Sequence, residues 1–127
     1  MMNSEFILED KLASLDLAKS LSKLNPAINY HFYYNDAGEI NNLIFLSNFP
    51  EGYVRCPSLN QVHKWLREEK GIDITIGVCK HNEKKAYYYT CLKIDDEGVG
   101  EVYENEYFDT YEDALDAGMI KAIQVFL

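Results

Sequence analysis

Apolar residues recur along this chain with two different periods, and the switches between them mark its elements. From residue 4 to residue 24 the period is helical. Phe6, Ala13, Leu17, Leu21 and Leu24 form one stripe, and Leu8, Leu12 and Leu15 form a second on roughly the opposite side. Ser4 fits the cap that opens such a helix, and Pro26 after Asn25 the break that ends it. A helix apolar on two sides needs cover on two sides.

The period then shortens to two. INYHFYYN and INNLIFLSN flank Asp36-Ala37-Gly38, which predicts a β-hairpin of strands 28–35 and 39–47. FPEGYVRCP reads as a loop. PSLNQVHKWLREEKG returns to the helical period, with Leu59, Val62 and Leu66 as its buried stripe and Trp65 and His63 on the two shoulders. Ser58 and Gln61 have the spacing of a capping box, and Gly71 suits the terminator. In IDITIGVC, Ile72, Ile74, Ile76 and Val78 alternate with Asp73, Thr75, Gly77 and Cys79. Two further strands follow at 86–94 and 101–108, joined by the turns HNEKK and DDEGVG. Thr110 caps a last helix. Its main face is Tyr111, Ala114, Leu115, Gly118, Met119, Ala122, Val125 and Phe126, with Ile120, Ile123 and Leu127 outside it.

The predicted order is α-β-β-α-β-β-β-α. Short turns between consecutive strands imply an α+β fold, with an antiparallel sheet and helices packed on one face. The length of 127 residues suits a single domain. Residues 1–55 supply a helix and hairpin, and residues 57–127 an α-β-β-β-α core module.

Charge alters this picture in one place. The chain carries −9, and ten of its 21 acids lie between Asp95 and Asp116, a window without Lys or Arg. The rest of the chain nets +1, so one segment holds the imbalance. It repels phosphate backbones, which argues against direct nucleic-acid binding there. No apolar run approaches the roughly 20 residues of a membrane span. Glu5, Glu9 and Asp10 are foreign to the basic start of a signal peptide. Cys56, Cys79 and Cys91 include no C-x-x-C pair. Reduced thiols and a cytoplasmic setting are expected.

Motifs for catalysis are missing. His31, His63 and His81 have no metal-ligand spacing, DDEGVGE departs from the calcium-loop pattern, and no P-loop, G-x-S-x-G or G-x-G-x-x-G occurs. No metal and no cofactor are expected. Tyrosines are abundant, in the groups Tyr30/Tyr33/Tyr34, Tyr87/Tyr88/Tyr89 and Tyr103/Tyr107/Tyr111. They suit both binding surfaces and half-covered sheet faces. Acids and tyrosines coincide at Glu101, Tyr103, Glu104, Glu106, Tyr107, Asp109, Glu112, Asp113 and Asp116, the candidate partner-binding residues. Glu112 and Asp113 also suit the positive end of a helix dipole. The stripe Ile120, Ile123 and Leu127 requires cover from the N-terminal helix or from a second subunit, and is the candidate oligomer contact of a homodimer.

Residues 57–127 resemble the double-stranded-RNA-binding domain in topology and length, down to the closing helix TYEDALDAGMIKAIQVFL. That family meets phosphate with lysines at the start of this helix, where this chain has Glu112, Asp113 and Asp116. The resemblance therefore implies shape and not RNA binding. DTYEDAL, Asp109 to Leu115, is similar to the helix start of HicB-type antitoxin domains. The combination P-S-L-x-x-x-x-K-W-L-R-E with Y-F-D-T-Y-E-D-A-L-D-A-G resembles small uncharacterised proteins of gut bacteria and their phages or mobile elements. It implies a genomic setting rather than an activity.

Together these readings imply a non-enzymatic interaction protein that binds a basic protein partner. Electrostatic steering would be followed by burial of aromatic anchors. The alternative is a small-molecule or nucleotide-binding module with a pocket between helices and tyrosine-rich strands.

Overall fold

The structure, a computed structural model, describes residues 11–45 and 48–127. Among them the order is α1 (Leu15–Ser22), β1 (Phe32–Tyr34), β2 (Ile40–Asn42), a 3-10 turn (Leu43–Phe45), β3 (Val54–Cys56), α2 (Leu59–Glu69), β4 (Ile72–His81), β5 (Lys84–Asp95), β6 (Gly98–Tyr103) and α3 (Tyr111–Phe126). The α+β class and the antiparallel pairing agree with the sequence. The sheet count does not: there are two three-stranded sheets, β2-β1-β3 and β4-β5-β6. The chain divides into two compact units, Met1–Val62 and His63–Leu127, with the boundary inside α2.

In the first unit the additional strand is β3, within the expected loop FPEGYVRCP. It pairs with β1 from Phe32↔Cys56 to Tyr34↔Val54. The three residues of β3, set between Pro50-Glu51-Gly52 and Pro57, are too few to establish a period. The first helix also differs. Its cap is Ser14, whose Oγ accepts from Leu17 N at 3.2 Å. Just before it, Lys11–Ala13 is extended. Leu12 bridges Ser58, Ala13 N donates to Pro57 O at 2.9 Å, and Leu59 N donates to Lys11 O at 2.8 Å. This pairing pre-empts the helical turn that the apolar spacing predicted. The remainder of that prediction, with Ser4, Phe6 and Leu8, lies outside the described residues, as do positions 46 and 47 of the predicted hairpin.

The hairpin strands are shorter than expected. Asn35 Oδ1 accepts from Ala37 N and Glu39 N, both at 2.9 Å, which closes the turn early. Ala18, Tyr34 and Cys56 form a buried cluster, flanked by Leu12, Leu15, Phe32 and Val54. Tyr34 Oη donates to Ala13 O at 2.7 Å, so the buried phenol is satisfied. The predicted capping box at α2 is present and reciprocal. Ser58 N donates to Gln61 Oε1 at 2.9 Å, and Gln61 N to Ser58 Oγ at 3.1 Å.

In the second unit β4 and β5 pair continuously from Ile72↔Lys93 to His81↔Lys84. Asn82 and Glu83 make the turn with φ of 51° and 66°, the left-handed pair of a type I′ hairpin. Alternation along β5 separates two faces. Tyr87, Tyr89, Cys91 and Lys93 lie on the inner face with Ile74 and Ile76, under α3. Tyr88, Thr90 and Leu92 lie on the outer face with Thr75, Gly77 and Cys79.

Helix α3 docks through Ala114, Gly118 and Ala122, with Leu115, Met119 and Ile123 beside them. Ile123 was expected on the second stripe but is buried, because it continues the Leu115–Met119 row one turn on. Ile120 is half-buried and Leu127 exposed. Tyr111 and Val125, expected on the main face, are exposed. At Gly118 a Cβ would lie 2.9 Å from Ile74 Cγ2 and 3.0 Å from Tyr89 Cβ. Glycine thus sets how closely the helix approaches the sheet.

Gly118→Val is expected to destabilise the protein by about 2 kcal/mol or more, read as a lower urea midpoint. Glu83→Gly removes a left-handed non-glycine residue and should stabilise by about 1 kcal/mol. The lost Lys80–Glu83 pair, 3.9 Å apart on the exposed hairpin, does not offset this. An unchanged midpoint in Glu83→Gly would contradict the turn assignment.

Candidate functional site

The outer face of the second sheet owes its shape to a break in the ladder. β5 and β6 pair regularly from Asp95↔Gly98 to Thr90↔Tyr103. Pairing then resumes at Tyr87↔Phe108, where the two residues exchange hydrogen bonds of 2.9 Å in both directions. Between these points β5 advances three residues and the opposite chain five. Two extra residues are accommodated as a bulge at Glu104–Tyr107. The strand expected over 101–108 therefore ends at Tyr103, and the bulge becomes the lip of a groove.

That groove has a volume of about 220 Å³ and is lined by Cys79, Tyr88, Thr90, Tyr103, Glu104, Asn105 and Tyr107. Three tyrosines stand partly in solvent: Tyr88 is 37% exposed, Tyr107 42% and Tyr103 67%. Tyr107 is held by His81, whose ring stacks on it at 4.0 Å between centroids and 17° between planes. Tyr88 lies across β4 at Gly77, its cross-strand partner. A Cβ on Gly77 would come within 2.2 Å of Tyr88 Cζ, so the ring can rest there only over glycine.

Of the nine residues predicted for partner binding, the groove contains Tyr103, Glu104 and Tyr107. Glu101 lies beside Tyr103 on the same face of β6, and Glu106 is exposed in the bulge. Asp109 precedes the cap of α3, and Glu112, Asp113 and Asp116 occupy its first turns, on the helix side of the sheet. Asp113 N donates to Thr110 Oγ1 at 3.0 Å, so this end of the helix is capped as the sequence implied. The acidic segment also meets bases from outside it. Lys121 pairs with Glu104, and Lys93 approaches Asp95 at 3.8 Å.

Cys79, Tyr88, Thr90 and Asn105 were absent from the predicted site. A signal for one of them existed: the β4–β5 register sets Gly77 opposite Tyr88, and a glycine within a strand marks a close approach.

The buried ionisable groups of the inner face are chemically quiet. Burial, reinforced by Glu104, Cys91 and Glu106, pushes the Tyr89 phenol up to about 12. Burial raises the Cys91 thiol to about 11, against a lowering by Lys121 and with a further rise from Glu104. Its Sγ donates to Gly118 O at 3.1 Å. Both stay protonated near neutrality, and neither is a ready nucleophile. His63 on α2 is held below its ordinary value by burial and then by Arg67, partly opposed by Asp73 and an Ile74 backbone hydrogen bond. Among the described residues no three His, Cys, Asp or Glu side chains converge on a metal position, and no helix is long and apolar enough to cross a membrane.

This arrangement offers aromatic faces and carboxylates, which suit cations and the aliphatic stems of basic side chains. No family model matches the chain, and no curated protein or solved structure matches it.

The three cysteines provide a check on the geometry. Cys79 is half-buried in the groove, and Cys56 and Cys91 are buried. A disulfide reagent should label Cys79 first in the native protein and the other two only on unfolding. Fast labelling that survives in Cys79→Ser would contradict this arrangement.

Proposed function

We propose that this protein is a non-enzymatic binding module that takes a basic protein partner on the outer face of its second sheet. The observation that carries the reading is the groove of about 220 Å³, walled by Tyr88, Tyr103 and Tyr107 with Glu104 at its lip. Its volume falls below the roughly 300–1,000 Å³ of small-molecule sites. A groove of that size accepts one or two side chains of a protein more readily than a whole metabolite, which favours a protein partner over the small-molecule alternative. Acids at Glu101 and Glu106, outside the Lys121–Glu104 pair, steer a basic surface toward it, and the tyrosines bury against that surface on docking. The resemblance of residues 57–127 to small proteins of phages and mobile elements supports a host or element protein as partner, met in the cytoplasm.

The test is affinity capture at low and high salt with two reversals. Glu101→Lys/Glu106→Lys acts on the outer face, and Asp109→Lys/Glu112→Lys acts at the start of α3. The expected result is a partner retained at low salt, weakened about tenfold at 0.5 M salt, and lost only with the outer-face pair. Loss only with the α3 pair would move the site to the helix side, and salt-independent capture would remove the electrostatic mechanism.

A further inference from the structure

Strand β6 is the last in its sheet order, β4-β5-β6. Which of its backbone groups are free follows from parity. Tyr87 and Phe108 exchange both hydrogen bonds, so the odd residues of β5 direct their N–H and C=O groups toward β6. Ile94 N donates the other way, to Gly71 O at 3.3 Å, as an even residue should. The partners of Asp95, Lys93 and Cys91 are Gly98, Gly100 and Val102, which therefore bond to β5. Val99, Glu101 and Tyr103 direct their backbone groups to the open side.

Those three residues also carry their side chains on the outer face, and they are exposed: Val99 is 69% and Tyr103 67% accessible. Sheet edges are commonly protected by charged side chains, lysine above all, by proline, by bulges or by a covering element. β6, GVGEVY, contains neither proline nor lysine. What it does contain is Glu101 at its middle, with Asp96 and Glu97 in the turn before it and Glu104 in the bulge after it.

We infer that the free edge of β6 is a strand-addition site for an extended, basic segment of the partner. The inference rests on the binding reading above and specifies its mode. An added strand gains main-chain bonds from Val99, Glu101 and Tyr103, and its alternate side chains lie beside those three residues on the outer face, next to the Tyr103 wall of the groove. Facing Glu101 calls for Lys or Arg, and facing Val99 and Tyr103 calls for apolar residues two positions to either side. The bulge at Glu104 stops the pairing and fixes its register. A second copy of this chain fits poorly, because edge-to-edge pairing of β6 would set acids against acids.

The experiment is selection of random nine-residue peptides on the full-length protein, followed by synthesis of the enriched sequence with alternate amides N-methylated. Enrichment of a basic residue flanked at two positions by apolar ones is expected. Methylating the amides that face β6 should weaken binding about tenfold or more, while methylating the alternate set leaves it within about twofold. Glu101→Lys should abolish the selected binding. Peptides that bind through Tyr103 and Glu101 but ignore both methylation patterns would overturn strand addition and leave the binding face standing. Failure to enrich any basic peptide would overturn both. A wild-type dimer whose Val99 and Glu101 amides are protected from exchange would show that a second copy takes the edge.

Discussion

The second unit depends on the contact of Gly118 with Tyr89 and Ile74. With no side chain at that point, α3 settles against the central strand, and Cys91 can donate to the helix backbone at Gly118 O. The same closeness buries Ala114, Met119 and Ala122 completely. One helix of this length covers one face of three strands. The helix buries Ile74, Tyr89 and Cys91 on the inner face, and the outer face carries tyrosine, threonine and cysteine beside the exposed Val99.

The ionisable groups follow the same division. On the inner face burial dominates and keeps Tyr89 and Cys91 protonated, and the acids at the sheet margin act in the same direction. On the outer face carboxylates remain in contact with water, where they act at longer range and are screened by salt. A chain with no conspicuous catalytic spacing thus still has a chemically distinct surface, and its distinction lies in aromatic area combined with charge.

Local signals were legible in the sequence and long-range ones were not. The Ser58–Gln61 box, the Thr110 cap and the Gly71 stop each depend on residues within one turn, and each is present. The alternation of IDITIGVC was similarly self-contained. Strand β3 escaped because three residues cannot display a period, and only pairing with β1 makes it a strand. The first helix begins later than its apolar spacing suggested, because Lys11–Ala13 is bonded to Pro57 and Leu59, more than forty positions away. The acidic window looked uncompensated partly for the same reason: Lys121 reaches Glu104 only once the sheet and helix are assembled. Tyr103 and Tyr107 were grouped in the sequence and do share the groove, where a bulge brings them together.

That bulge separates two jobs that most strands perform together. Pairing on either side is complete at Thr90↔Tyr103 and Tyr87↔Phe108, so the residues between them owe nothing to the ladder. Glu104, Glu106 and their neighbours can therefore be exchanged, or their number altered, while every main-chain bond of the sheet is retained. On the binding reading proposed above, fold and preference are governed by different stretches of chain. In copies of this protein that diverge, the lip is where new selectivity can arise without loss of the scaffold.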